Sequence, residues 1–476
     1  MNDAPRTYDV VVIGSGPVGM NVADRTRAAG LSTAIVENEL VGGECSYWAC
    51  TPSKALLRPV LARADARRLP GLSDAVAGPL DAPLVLARRD EATSHWKDDG
   101  EVAWLDSVDV DVVRGRGRLD GPRKVTVATP DGGTVTLLAR QAVAVCTGTT
   151  AALPDLPGLA DVRPWTSREA TSAKEVPGRL VVVGGGVVAV EMATAWQGLG
   201  AQVTVLVRGS GLLTTMEPFA GEMVAEGLRA AGAEVRFGVS VVSAIREDGQ
   251  VRVGLDDGGE LTADEILFAT GRRPHTDDLG LETVGLTPGD WLTVDDTLQV
   301  TEVADGWLYA VGDVNHRVLL THEGKYQARI AGAVIGARAK GEPLDDDPWG
   351  AHAATADGVA VPQVVFTDPE VASVGLTARA AERDGRRTKV VDYAIGDVAG
   401  AALYGDGYRG KARMVVDLDR GHPIGVTFVG PGVSELLHSA TIAITAEVPL
   451  ERLWHAVPAF PTISEVWLRL LETYRG

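Results

Sequence analysis

The chain has 476 residues, 45% of them hydrophobic and 23% charged, a globular composition with material for roughly three domains at about 150 residues each. With 64 acidic residues against 45 basic ones its net charge is −19, a field that repels phosphate backbones and anionic lipid, so neither nucleic acid nor a membrane is an expected partner. Three cysteines, Cys45, Cys50 and Cys146, are too few for the disulfide framework of a small extracellular scaffold.

The N-terminal residues lack the basic start and cleavage site of a signal peptide. The first apolar run, Val10 to Ile13, ends far short of the about 20 residues that span a bilayer. A cytoplasmic location is the expectation. That run is followed by Gly14-Ser15-Gly16-Pro17-Val18-Gly19, a helical stretch to Gly30 and a second strand, Ser32 to Val36. Glu37 closes this strand. Buried strand, glycine turn, helix and terminal acid follow the order of a dinucleotide-binding βαβ unit: the glycines let a pyrophosphate approach the helix N-terminus, and the acid accepts from ribose hydroxyls.

Next comes Gly42-Gly43-Glu44-Cys45-Ser46-Tyr47-Trp48-Ala49-Cys50-Thr51-Pro52-Ser53-Lys54. Five residues of regular helix rise about 7.5 Å, too far for a disulfide, so this pair can bridge only if the turn is distorted. Gly42, Gly43 and Pro52 are the residues expected to distort it. A thiol at a helix N-terminus has a lowered pKa and can persist as thiolate beside an electron acceptor. No second cysteine pair with zinc spacing exists, so no metal site is expected.

Pro52 to Asp106 reads as helical, broken near Pro70-Gly71 and Gly78-Pro79. Val112 to Val145 reads as short strands with a turn at Pro130 to Gly133. Pro154, Pro157 and Gly158 mark a linker. The βαβ pattern then repeats as Leu180 to Val183, Gly184-Gly185-Gly186-Val187-Val188-Ala189, a helix to Gly200 and a strand from Gln202 to Val207, with the glycine turns 170 residues apart. Here the third fingerprint position is Ala189, and the acid expected at the strand end is replaced by Val207, followed by Arg208. An acid there repels the 2′-phosphate of NADP and an arginine pairs with it, so NADPH is preferred over NADH. A strand from Glu265 to Ala269 precedes Gly271-Arg272-Arg273-Pro274, and from Pro362 strands and helices alternate without a glycine fingerprint.

Taken together, these motifs resemble those of the class I pyridine nucleotide-disulfide oxidoreductases, the family of glutathione reductase, lipoamide dehydrogenase and mercuric reductase. The resemblance extends through Thr147-Gly148, Ala269-Thr270-Gly271-Arg272, Tyr309-Ala310-Val311-Gly312-Asp313 and Phe366-Thr367-Asp368-Pro369-Glu370. It implies an α/β chain with two Rossmann-like FAD and NAD(P) domains plus a C-terminal α+β dimerisation domain. The expected partition is 1–152 and 273–350 for FAD, 153–272 for NAD(P) and 351–476 for the interface of a homodimer with shared active sites.

Carried over by position, the resemblance assigns Gly14, Gly16, Gly19, Glu37, Gly43, Lys54, Gly117, Thr147, Gly148, Asp313, Thr321 and His322 to FAD. It assigns Gly184, Gly186, Ala189, Glu191, Arg208 and Gly271 to the nicotinamide coenzyme. Cys50 becomes the flavin-side charge-transfer thiol and Cys45 the interchange thiol. Lys54, paired with Glu191, becomes the cation near flavin N5, where it stabilises the charge of reduced flavin.

One departure bears on function. Thiol-exchanging members carry His-Pro-Thr-x-x-Glu near the C-terminus, and that histidine protonates the leaving thiol; this chain reads Phe460-Pro461-Thr462-Ile463-Ser464-Glu465. Phenylalanine transfers no proton, and a positioned acid–base group is worth about 100- to 10,000-fold. His455 is the nearest histidine that could substitute. Tyr47-Trp48 is expected to narrow the approach to Cys45. The leading expectation is an FAD-dependent NAD(P)H oxidoreductase passing electrons through Cys45 and Cys50 to a non-standard acceptor: a special disulfide, a quinone or a metal ion. The alternatives are proton-excluding chemistry like that of 2-ketopropyl-coenzyme M carboxylase, which also has phenylalanine at this position, a lipoamide dehydrogenase-like enzyme, or a non-enzymatic flavoprotein module.

Overall fold

The computed structural model describes residues 4–476. Among the described residues two compact units form, one from residues 4–52, 90–152 and 271–357, the other from 53–89, 153–270 and 358–476.

The first unit is built on a seven-stranded sheet. Strand β1 (Arg6–Ile13), helix α1 (Pro17–Ala28) and strand β2 (Thr33–Glu37) form the first βαβ unit. β1 lies between β2 and the strand Thr134–Val145, parallel to both, and Val110–Arg114 and Leu308–Ala310 extend the parallel set. Val10, Val11, Val12 and all five residues of β2 are buried, as expected of parallel strands covered on both faces. Lys124–Ala128 and Arg116–Leu119 continue the sheet antiparallel. Residues Thr149–Ala151 and Arg272–Pro274 pair antiparallel where the chain leaves this unit and returns.

In the second unit, four parallel strands stand in the order Glu234–Phe237, Gln202–Val207, Arg179–Val183, Glu265–Phe268. A three-stranded antiparallel sheet spans Val241 to Ala263. The C-terminal segment forms a five-stranded antiparallel sheet, with Glu370–Gly375 beside His422–Gly430 at its centre. This is the mixed α/β chain with an α+β C-terminal domain that the motifs imply.

The helical reading of Pro52 to Asp106 needs one more interruption. After Ala92 the chain passes through Ser94, His95 and Trp96, all at left-handed φ, before the helix Asp99–Ser107 begins. Among the described residues, no helix is long and apolar enough to cross a membrane, and no cluster of three or more metal-ligating side chains occurs.

Candidate active site

The fingerprint glycines divide into two kinds. At Gly14, with φ 97°, a Cβ would stand 2.5 Å from the Cys146 carbonyl oxygen, and at Gly19 it would stand 1.9 Å from that of Gly14. These two make the tight turn and press α1 onto it. A Cβ on Gly16 would meet nothing within 4 Å. The backbone there faces open space at the N-terminus of α1, where a pyrophosphate is held by N–H groups and the helix dipole. The second fingerprint repeats the division: Gly184 is pressed against the Ala269 carbonyl, Gly186 is open, and Ala189 is fully buried. Gly148 and Gly271 are also open, at positive φ. Both turns therefore fit a dinucleotide.

Glu37 closes the first cradle. Its carboxylate accepts from the Ser15 N–H and hydroxyl, each at 2.9 Å, and from the Glu39 N–H at 2.8 Å. A carboxylate offers about four lone-pair positions, so room for one further donor remains. At Gly117 a Cβ would press against Val36 and Ile13 at 3.0 and 3.3 Å, so the strand packs directly on β1 and β2. The Thr147 hydroxyl is buried without a hydrogen-bond partner, an orphan that a bound ligand would satisfy.

Asp313 follows Gly312, whose N–H donates to Gln327 at 2.8 Å. Thr149 donates to the Asp313 carboxylate at 2.8 Å, and Arg272 in turn donates to Thr149. Burial pushes the Asp313 carboxyl up, opposed by the Thr149 hydrogen bond and by Arg272. Gln327 and Thr149, which position this acid, carry no sequence signal of their own.

The cysteines lie at a helix break. Helix α2 (Gly43–Tyr47) stops at Trp48, where φ is −137°, and helix α3 (Cys50–Arg67) starts at Cys50. The distortion that brings the two sulfurs together is thus at Trp48-Ala49 and not at Gly42, Gly43 or Pro52. Pro52 sits in the first turn of α3, where its missing N–H costs nothing. The glycines do other work: Gly42 donates its N–H to the Ser15 carbonyl at 2.8 Å, and a Cβ on Gly43 would stand 2.7 Å from the Gly16 Cα. They hold the cysteine turn against the nucleotide cradle. Tyr47 does not narrow the approach to Cys45. It is 1% exposed, and its hydroxyl donates to the Val41 carbonyl at 3.1 Å, while Trp96 braces the Tyr47 carbonyl from its indole N–H at 3.1 Å.

Cys45 and Cys50 are thiols, not joined in a disulfide. The Cys45 thiol is pushed far above its ordinary value, first by its hydrogen bond to Cys50, then by burial and by the Cys50 charge. Cys45 is therefore the partner that keeps its proton, and Cys50 the one that ionises. The Cys50 sulfur is 3.3 Å from the Thr321 hydroxyl. It begins the 18-residue α3, and Thr321 begins a 20-residue helix ending at Lys340. Two helix N-termini, each with unpaired N–H groups and a partial positive charge, converge on this sulfur. His322 is exposed, its Nε2 3.9 Å from Glu323.

Lys54 lies one turn beyond Cys50 on α3. Its ammonium is 2.7 Å from Glu191 Oε2, and it stands 5.0 Å from the centre of the Phe366 ring. Glu191, on the helix after the second fingerprint, is buried and also accepts from the Phe366 N–H at 3.1 Å. Glu191→Ala would strand that buried N–H and the Lys54 ammonium, which is expected to cost about 2 kcal/mol of stability, read by denaturant unfolding. Glu191→Gln, which keeps an acceptor, should recover about half of it. Arg208 is exposed at the end of strand Gln202–Val207 and forms no ion pair among the described residues.

Near the C-terminus, Phe460 is 76% exposed and His455 is also exposed. Glu465 is buried. One carboxylate oxygen accepts from Arg469 at 2.6 Å, and the other has no partner. Leu403, Ile442 and Val457 are further exposed apolar side chains of this segment.

Nucleotide cradles on two βαβ turns and a hydrogen-bonded thiol pair at a helix N-terminus define a flavin-linked thiol redox enzyme. The chain belongs to the pyridine nucleotide-disulphide oxidoreductases. The model of that family matches residues 8–329, and that of its dimerisation domain matches 361–470. Dihydrolipoyl dehydrogenase 3 of Pseudomonas aeruginosa is 33% identical over 472 residues, covering 96% of each chain. Mercuric reductase of Shigella flexneri is 33% identical over 469 residues, covering 96% of this chain and 78% of that one. Among solved structures, the HOCl-induced flavoprotein disulfide reductase RclA of Escherichia coli and LpdA of Mycobacterium tuberculosis share the fold. Their TM-scores are 0.83 and 0.80, each with 24% identity and coverage of 98% and 99% of the two chains. The enzyme is accordingly of an FAD-dependent, NAD(P)H-using family and carries its dimerisation domain.

Proposed function

We propose that this enzyme passes electrons from NADPH through FAD to the Cys45–Cys50 pair, and on to an acceptor whose leaving group needs no proton. Bound FAD supplies two-electron exchange between the nicotinamide and the cysteine pair. Gly14, Gly16, Glu37, Gly43, Thr147 and Asp313 would hold it, and Lys54, fixed by Glu191, would supply compensating positive charge. Cys50 serves as the thiolate and Cys45 as the thiol that exchanges with the acceptor.

The observation that carries the acceptor reading is Phe460 preceding a Glu465 whose second oxygen has no partner. The acid that would orient an imidazole is retained, but no imidazole occupies position 460. Acceptors that expel no thiolate in need of a proton from position 460 are disulfides of acidic thiols, quinones, which expel no leaving group, and thiophilic metal ions; mercuric reductases are among the relatives. The retained glutamate sets the chain apart from 2-ketopropyl-coenzyme M carboxylase, which lacks it. In the homodimer, the exposed Phe460 segment would be supplied to the site of the partner subunit.

Purified protein should be yellow, with one FAD per chain, and anaerobic NADPH should reduce it. Mixing the reduced enzyme with a panel of acidic-thiol disulfides, alkyl disulfides, quinones and metal ions, followed at the flavin absorbance, identifies the acceptor class. A folded preparation that binds no FAD, or that neither nicotinamide reduces, would overturn the reading. For the coenzyme, Arg208→Ala should raise KM for NADPH about tenfold and leave that for NADH nearly unchanged, because guanidinium pairs bidentately with the 2′-phosphate. Equal effects on the two would show that Arg208 does not read the phosphate.

A further inference from the structure

Two buried carboxyls have no part in the chemistry described so far. Glu323 lies in the first turn of the 20-residue helix Thr321–Lys340, and Asp357 is buried with it. Asp357 Oδ2 is firmly held: it accepts from Gln327 Nε2 at 2.9 Å and lies 3.1 Å from Arg317 Nε. The carbonyl oxygen of the same Gln327 accepts from the Gly312 N–H at 2.8 Å, which ties the carboxyls to the turn that presents Asp313. The other oxygens are not held. Glu323 Oε2 and Asp357 Oδ1 are buried without a donor. Yet the two carboxyls are close enough to act on each other as charges and as hydrogen-bond partners. As carboxylates both are acceptors only, and neither can satisfy the other. One proton turns them into donor and acceptor and removes both orphans.

The surroundings decide where that proton sits. Burial, and then the charge of Asp357, push the Glu323 carboxyl up to about 7. Burial pushes Asp357 up as well, but Arg317 and Gln327 oppose it. The charge therefore rests on Asp357 and the proton on Glu323, with the titration belonging to the two together. The other groups facing them are few. His322 Nε2 stands 3.9 Å from Glu323 Oε1, Arg329 lies over the Tyr326 ring on the same helix, and Asp296 is 2.8 Å from Arg317.

A carboxylate in the first turn offsets the partial positive charge of a helix N-terminus, an effect that fades beyond that turn. This is the helix whose first hydroxyl lies 3.3 Å from the Cys50 sulfur. We infer that Glu323 and Asp357 hold one proton between them, and that this proton keeps the helix N-terminus available to the Cys50 thiolate. Glu323 is thus a positioning residue for charge. The inference rests on Cys50 being the thiolate of the proposed relay. A hydride from NADPH brings two electrons and one proton to the oxidised cysteine pair. The sulfur–sulfur bond breaks, Cys45 takes the proton and Cys50 keeps the negative charge. By reciprocity, that new charge tightens the hold on the Glu323 proton. Reduction near neutral pH then draws part of a further proton from solvent onto an acid within the subunit, in a chain with no imidazole at position 460.

The test uses the holoenzyme carrying Cys45→Ser, in which Cys50 is the accessible thiol and Cys146 is buried, with Glu323→Gln or Asp357→Asn added. Infrared difference spectra across neutral pH should show one protonated carboxyl losing its C=O band, and that band should be missing in Glu323→Gln. The His322 ring gives no such band. Absence of any carboxyl titrating in this range overturns the proposal. The second readout is the pH midpoint of Cys50 alkylation by iodoacetamide. Glu323→Gln fixes a neutral side chain, so the midpoint should fall by about half a unit. Asp357→Asn removes the charge that holds the proton, so Glu323 ionises at neutral pH and the midpoint should rise. Opposite shifts mark a charge effect, whereas loss of packing moves both variants the same way. Shifts of one sign, or none, overturn the proposal. If the midpoint stays at or above the ordinary thiol value of about 8.5 in every variant but still moves in opposite directions, the thiolate reading of Cys50 fails and the shared proton stands.

Discussion

Phe460→His is expected to raise turnover of ordinary alkyl disulfides by about tenfold or more, the lower part of what a positioned acid–base group supplies. An alkyl thiol has a pKa near 8.5, so its thiolate is a poor leaving group unless protonated as it departs. The wild-type chain has nothing at position 460 to do this. It does keep Glu465, buried, with one oxygen held by Arg469 and the other without a partner. An imidazole at position 460 is expected to donate its N–H to that oxygen, which would fix ring and tautomer together. Reduction of flavin and cysteine pair by NADPH should be unaffected, because those electrons do not pass position 460. Steady-state rates with an alkyl disulfide, beside stopped-flow reduction by NADPH, check both halves. Rapid alkyl disulfide turnover by the wild type, unchanged by the substitution, would mean that another group donates the proton, with His455 the first to replace.

How much of this site was visible beforehand follows from the kind of constraint involved. The fingerprint glycines could be read from spacing because each answers a local demand: Gly14 and Gly19 have no space for a Cβ, and Gly16 leaves space for a ligand. The parallel strands were equally readable as short, fully apolar runs. The cysteine turn was harder. Helical rise showed that a regular helix would hold the sulfurs too far apart, but the break falls at Trp48-Ala49, where no glycine or proline marks it. What anchors it is tertiary: Tyr47 is drawn into the core, and Trp96 holds its carbonyl from a left-handed turn that interrupts an apparently helical stretch. Glu191 could be matched to Lys54 by motif, yet its second partner, the Phe366 N–H, lies 175 residues away.

Cys45→Ser is expected to abolish disulfide reduction, by about a thousandfold or more, because a hydroxyl at neutral pH forms no mixed disulfide. The same variant should keep, and even strengthen, the thiolate character of Cys50. In the wild type the two sulfurs share one hydrogen bond, in which Cys45 keeps its proton. Serine preserves the donor, its own proton being removed only far above the range of a thiol. Cys50 keeps the Thr321 hydroxyl at 3.3 Å and its place at the start of α3. With no second thiol to titrate, Cys50 should ionise in a single step below the ordinary thiol pKa of about 8.5, measurable by thiolate absorbance or by the pH dependence of its alkylation. Cys50→Ser should behave differently, since it leaves Cys45 without the acceptor that holds its proton and removes the sulfur placed between the two helix N-termini. NADPH should still reduce the flavin in Cys45→Ser, which separates loss of the relay from loss of the cofactor. Disulfide turnover within tenfold of wild type in that variant would mean that the acceptor draws its electrons directly from the flavin, bypassing both cysteines.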